Sequence, residues 1–159
     1  KRLLSKLLEI NVLVQFNQGL DIRLLDEENS SLLGKLRWIQ NRCFAFDDIK
    51  YKNLIGKKLE LMPWRKDFRT TFFVYVHPNM PLSDTIRRIV WLKEQKCLPY
   101  VMRDISCYDS PYSKFYTALA NWCNFPPAFI RMEFDQYLEI KHPNRQKVSD
   151  YYKLYRDNM

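Results

Sequence analysis

The sequence predicts an α/β protein built from consecutive strand–helix units. Three observations carry this reading. Four short runs, Val12-Phe16, Cys43-Phe46, Thr71-Val76 and Leu98-Met102, are β-branched and aromatic and mostly apolar on both faces. That is the pattern of parallel strands buried between layers. Their starts recur at intervals of 31, 28 and 27 residues, close to the roughly 30 residues that a strand–helix unit consumes. Only three glycines occur in 159 residues, which disfavours an all-β fold rich in tight turns.

The chain opens in an amphipathic run, LLSKLLEI, and begins at Lys1 rather than Met; a cut through a larger protein is the expectation. The first strand ends in Asn17-Gln18-Gly19. Asp26 then caps a helix carrying Leu32, Leu33 and Leu36. The second strand leads to a helix carrying Leu54, Ile55, Leu59 and Met62, closed by Pro63. After the third strand a helix starts near Ser83 or Asp84 and carries Ile86, Ile89 and Val90. Right-handed crossovers join such units, and four units are too few to close an eight-stranded barrel. The pattern changes after Asp104. SCYDSPYS reads as a loop. Tyr112, Phe115, Leu119 and Trp122 form a helical stripe, broken by Pro126-Pro127. Ile130, Phe134, Tyr137 and Leu138 mark a second helix ending near His142-Pro143. Residues 1–109 are thus the strand–helix part, and residues 110–159 a helical extension packed on it.

An apolar share of 47% and an aromatic share of 15% supply a real core and exclude a disordered chain. No apolar run reaches the ~18 residues of a membrane span, and the first residues do not read as a signal peptide. A cytoplasmic protein is expected. The net charge of +8 admits nucleic acid as a partner, but the cations form no block, so a generally basic surface is the favoured reading. Lys141 to Met159 is mildly basic and tyrosine-rich, suggestive of an interaction tail. The cysteines at 43, 97, 107 and 123 are separated by 53, 9 and 15 residues. No CxxC or CxxxCxxC is present, so a zinc ribbon or local iron–sulfur motif is absent. Buried reduced thiols are expected.

Each strand ends in polar groups: Asn17-Gln18-Gly19, Asp47-Asp48, His77-Pro78-Asn79 and Arg103-Asp104. In parallel α/β folds ligands bind at the carboxyl ends of strands, where these loops lie together. Simpler roles stand beside this. Asp48 is equally suited to cap a helix. His77 is suited to a turn, satisfied by backbone. Arg103 is suited to pair with Asp104 or Asp21, and Asp21 and Arg23 to fix the loop after the strand. Gly19 then marks a close approach or a positive φ. Asp47 shares the parity of Ala45, opposite Phe44 and Phe46. Trp38, Trp64, Trp91 and Trp122 read as helix–sheet packing rather than a stacking platform. Neither a nucleophile elbow nor a Gly-rich phosphate loop occurs.

The order FNQGLDIRLL, FAFDD, FFVYVHPN, PLSDTIRRIVWLKE and LPYVMRD resembles the later half of radical S-adenosylmethionine (radical SAM) enzymes, most closely a bacterial and phage-associated branch. The resemblance spans roughly Val12 to Asp109; FNQGLDIRLL and FAFDD are its most specific parts. It implies a TIM-like partial (β/α)6 barrel of which the four strands here are the third to the sixth. It further implies that a longer parent binds S-adenosylmethionine and a [4Fe–4S] cluster, which cleaves the cofactor to a 5′-deoxyadenosyl radical that takes a substrate hydrogen. The family's CxxxCxxC is missing, so neither cofactor nor radical activity is expected of this chain alone. By position in that pattern, Asn17 and Gln18 face the cofactor, and Asp47 its carboxylate or ribose. Tyr75 or His77 belongs to the fifth strand's tip, and Met102 and Arg103 lie where adenine contacts fall. Asn17, Asp47, His77 and Arg103 are expected to converge. The rival reading is a non-catalytic basic α/β module for nucleic acid or a protein partner. Missing strands also imply a free edge at Val12-Phe16, an open inner face, and self-association through them.

Overall fold

The computed structural model describes residues 1–141 and 145–159, with residues 145–148 described by their helix alone. The element order is α1 (Arg2–Glu9), β1 (Leu13–Val14), α2 (Glu27–Lys35), β2 (Arg37–Trp38), β3 (Arg42–Ala45), α3 (Lys52–Glu60), β4 (Thr70–Val76), α4 (Leu82–Glu94), β5 (Leu98–Arg103), α5 (Ser113–Cys123), α6 (Pro126–Arg131), α7 (Phe134–Lys141) and α8 (Arg145–Arg156). Short 3₁₀ turns at Ile22–Leu24, Ile49–Tyr51 and Ile105–Tyr108 follow the strand ends. The expected helix end near His142-Pro143 lies outside the described residues.

Among the described residues every strand pairing is parallel. β3, β4 and β5 form one sheet in sequence order, with Phe44 opposite Phe72 and Val74 opposite Val101. The fold is therefore mixed α/β with parallel strands in two small sheets and no closed barrel. The expectation of four strands in one sequential sheet needs correction. β1 pairs with β2, a two-residue ladder that the sequence reading missed (Leu13 opposite Arg37, Val14 opposite Trp38). Contact with β3 is made further along, at Leu20: its N–H donates to the Cys43 carbonyl (2.8 Å), and its carbonyl accepts from the Ala45 N–H (3.2 Å). The polar run Gln15 to Gln18 separates the two pairings. Gly19 permits the second one. A Cβ there would lie 2.8 Å from the Phe44 carbonyl carbon and 2.9 Å from its oxygen. The close-approach reading of Gly19 holds, and its φ is not positive.

Alternation along β4 sorts the sheet into two faces. Phe72, Val74 and Val76 are fully buried, with Phe44 and Val101 in the same rows. α4 lies on this side and buries Ile86, Ile89 and Leu92. The Phe46 ring meets Trp91 edge-on at 5.4 Å. The other face carries Cys43, Ala45, Thr71, Phe73, Tyr75, Tyr100 and Met102 and is open. Tyr75, Tyr100 and Met102 keep 37%, 46% and 38% of their surface exposed, so the inner face is partly uncovered, as expected.

The capping chemistry follows the sequence. The Asp26 side chain accepts from the Asn29 N–H at 2.7 Å and starts α2. α4 begins at Leu82, after Pro81, one to two residues earlier than expected. The break at Pro126-Pro127 holds, since α5 ends at Cys123; Pro126 also opens α6, because a proline at the first helical position has no N–H to waste. The single helix expected from Ile130 to Leu138 is accordingly two, α6 and α7, separated at Met132-Glu133. α5 runs along β5. The Asn124 amide clamps its outer edge, accepting from the Val101 N–H (2.7 Å) and donating to the Val101 carbonyl (3.0 Å). Behind α5, Trp122 packs on Phe129, Phe134 and Tyr155.

Candidate functional site

The carboxyl ends of β3, β4 and β5 point the same way because the strands are parallel. The loops that leave them are acidic. β4 and β5 bring together Tyr75, His77 and Asp104. Asp104 caps the 3₁₀ turn Ile105–Tyr108: it accepts from the Ser106 N–H (2.9 Å) and hydroxyl (2.6 Å). Its other oxygen accepts from the Tyr75 hydroxyl at 2.6 Å. The Ser106 and Tyr75 donors hold the Asp104 carboxyl at about 2, and the same bond raises the Tyr75 phenol. Asp104 is therefore a fixed negative charge at neutral pH. His77 accepts the Asn79 N–H on Nδ1 (3.0 Å), so its proton resides on Nε2. That nitrogen lies 3.9 Å from Asp104, beyond hydrogen-bond reach.

β3 ends in a second acidic pair. Asp48 caps the 3₁₀ turn Ile49–Tyr51 by accepting the Lys50 N–H (2.9 Å) and pairs with Lys50 Nζ (2.6 Å). That bond to Lys50 lowers its carboxyl. Asp47 is different. It is exposed and, among the described residues, accepts no hydrogen bond and sits in no ion pair. It lines an open cavity of about 320 Å³, shared among others with Gly19, Asp21, Arg23, Ala45 and Tyr51. The small Ala45 leaves room beside it. Asp21, on the same cavity, is committed to Arg23: it accepts from the Arg23 N–H (3.0 Å) and binds its guanidinium (2.7 Å), which lowers its carboxyl.

The five residues picked from the sequence do not converge. Asp47 lies in the β3 cavity, and His77 stands by Asp104. Asn17 faces a different cavity, shared with Gln15, Gln40 and Asn41 at the amino-end half of the open face. Gln18 is exposed, and its side chain forms no hydrogen bond among the described residues. Arg103 points to the helical side, donating to the Thr117 hydroxyl (2.6 Å) and lying 4.8 Å from the Tyr108 ring centroid. It pairs with neither Asp104 nor Asp21. The turn reading of His77 and the capping reading of Asp48 both hold.

Arg88 escaped the sequence reading. It is fully buried and reaches from α4 under the carboxyl ends of the strands. It donates to the Phe46 carbonyl (2.7 Å), the Tyr75 carbonyl (3.1 Å) and the Thr85 hydroxyl (3.3 Å). Burial lowers its pKa, opposed by Asp47, Asp84 and Asp48. The signal was present: Arg88 lies three residues after Thr85 and four before Leu92, on the buried stripe of α4.

The cysteines do not suit a [4Fe–4S] cluster. Cys43 sits in β3, Cys97 before β5, Cys107 in a 3₁₀ turn and Cys123 at the end of α5. Cys97, Cys107 and Cys123 are buried. Burial pushes all four thiols up, Cys97 to about 11, whereas cluster ligation needs thiolates. Among the described residues no group of three or more His, Cys, Asp or Glu is placed to hold a metal ion. No helix among them is long and apolar enough to cross a membrane. No family model matches the chain, and neither a curated protein nor a solved structure matches it.

Proposed function

We propose that this chain is the later half of a radical SAM-type partial barrel and supplies part of the S-adenosylmethionine surface within a longer protein. The observation that carries the proposal is Asp47. It is a carboxylate with no hydrogen-bond or ion-pair partner among the described residues, at a strand's carboxyl end, lining an open cavity together with Gly19 and Ala45. S-adenosylmethionine carries a sulfonium and an ammonium group. The loops leaving the strands carry Asp21, Asp26, Asp47, Asp48, Asp104 and Asp109 against Arg23 and Lys50, a field that favours a cationic ligand. Asp47 holds the positive end of the cofactor, and the fixed charge of Asp104 adds to the field. Gly19, packed on the β3 backbone, sets FNQGLDIR beside FAFDD.

Cofactor cleavage belongs to a cluster that these cysteines do not build. The chain's own contribution is binding and orientation. Affinity for the chain alone is therefore expected to be weak. The test compares S-adenosylmethionine with S-adenosylhomocysteine, its uncharged-sulfur analogue, by saturation-transfer NMR and competition. The charged cofactor is expected to bind better, and Asp47→Asn to remove that preference. Equal binding of the two by the unmodified chain would sink the reading.

A further inference from the structure

An open cavity lies at the other end of the sheet, at the amino-end half of the uncovered face. It measures about 450 Å³, and no residue lining it is charged, although 28% of the chain is charged. Its floor is aromatic: Phe73 and Tyr100 meet at 5.7 Å, tilted by 66°. Its walls carry the amides of Gln15, Asn17, Gln40 and Asn41. These amides are only partly used within the chain. Gln15 donates to Gln40 (3.1 Å) and Asn41 to Thr71 (3.3 Å), and the Asn17 side chain bonds to none of the described residues. Free amide donors and acceptors above exposed rings suit a flat, neutral group with a hydrogen-bonding edge. A nucleobase is such a group: its face stacks on aromatic side chains and its edge pairs with Asn or Gln.

The surroundings of the cavity add the complementary charge. The loops entering β4 and β5 carry Arg65, Lys66, Arg69 and Lys96 against a single acid, Asp67. Asp67 is taken up by Lys96 (2.8 Å), and Arg65 donates to the Gln95 carbonyl (2.6 Å). The side chains of Lys66 and Arg69 are exposed and have no partner among the described residues. Arg69 precedes the cavity residue Thr71 by two positions. A neutral, ring-floored cavity beside unpaired cations matches the two halves of a nucleotide in a strand, base and phosphate.

We propose that the amino-end half of the open face binds unpaired nucleic acid, with a base stacked on Tyr100, its edge read by Asn17, Gln40 and Asn41, and phosphates taken by Lys66 and Arg69. The site stands apart from the acidic carboxyl ends and does not depend on the cofactor reading. A duplex cannot offer its base faces, so the site prefers single strands.

The test is fluorescence anisotropy of the chain with a labelled oligoadenylate of about a dozen nucleotides, against the same strand annealed to its complement. The single strand is expected to bind at least roughly tenfold tighter. Tyr100→Ala is expected to weaken it by about tenfold, in line with the loss of one stacked base, and Tyr100→Phe to retain it. Replacing Lys66 and Arg69 by Ala is expected to flatten the salt dependence by about 0.7 in the log–log slope per cation removed. Tyr100 is largely exposed, and circular dichroism of each variant checks its fold. Equal affinity for duplex and single strand, or unchanged binding by a folded Tyr100→Ala variant, overturns the proposal. Binding of adenosine as tight as that of the strand, with an unchanged salt slope in the double variant, overturns the polynucleotide claim.

Discussion

Gly19 has no room for a side chain. A methyl group there meets the Phe44 backbone at 2.8 Å, and a strand backbone yields less readily than a side chain. Gly19→Ala is expected to destabilise the chain by about 1–3 kcal/mol, read as a lower urea midpoint at unchanged slope. An unaltered midpoint would mean that the loop can lift off β3 freely. Asp104 supplies a pH-dependent term. Its folded value of about 2 lies below the ordinary 3.8. The stabilisation is thus complete above the unfolded value and is lost as pH falls through the folded one. Unmodified chain and Asp104→Asn should therefore differ in Tm by a constant amount above pH 5, and the difference should shrink from about pH 4 to about 2. A difference that persists to pH 2 would contradict the assignment. Single residues were unevenly legible. Asp26, Asp48 and Gly19 announced themselves, because caps and close approaches are local. Arg103 did not: its partner Thr117 lies in α5, and no local pattern tells a strand-end arginine which layer it will face.

At the scale of elements, β3, β4, β5 and the helices between them were readable from periodicity, because buried parallel strands leave unbroken apolar runs. The β1–β2 ladder was not. Two residues carry no period, and Arg37-Trp38 follows α2 so closely that it reads as the helix's tail. α6 and α7 merged in the reading because Ile130 has helical spacing with Phe134, although Ile130 is 41% exposed. The clamp on β5 was equally hidden. Asn124 sits one residue past α5 and reads as a helix cap, yet it serves the Val101 N–H and carbonyl as a neighbouring strand would. Asn124→Ala leaves both groups of a buried residue unpaired, at a cost of about 1–3 kcal/mol. Hydrogen exchange at the Val101 amide is expected to accelerate more than at Phe72, which lies between Phe44 of β3 and Pro99 of β5. Unchanged protection at Val101 would show that another group takes the edge over.

Across the whole molecule, the total of +8 conceals a polarity. Acids gather at the carboxyl ends of the strands and cations at the loops that enter them. Chain order interleaves the two sets, so no charge block appears in the sequence. The strand order separates them in space, which is why the composition alone pointed only to a generally basic surface. The candidate site was legible in outline, as polar groups at strand ends, and illegible in membership, since Asn17 and Arg103 belong elsewhere. The open sheet face joins the two ends. The central claim is that the acidic end meets S-adenosylmethionine. Amide chemical-shift mapping of the chain during titration with the cofactor tests it most directly. Saturable shifts are predicted at Asp21–Arg23 and Ala45–Lys50, with Arg69–Thr71 and Lys96–Leu98 unmoved. Shifts confined to the amino-end loops, or none at saturating cofactor, would contradict the account.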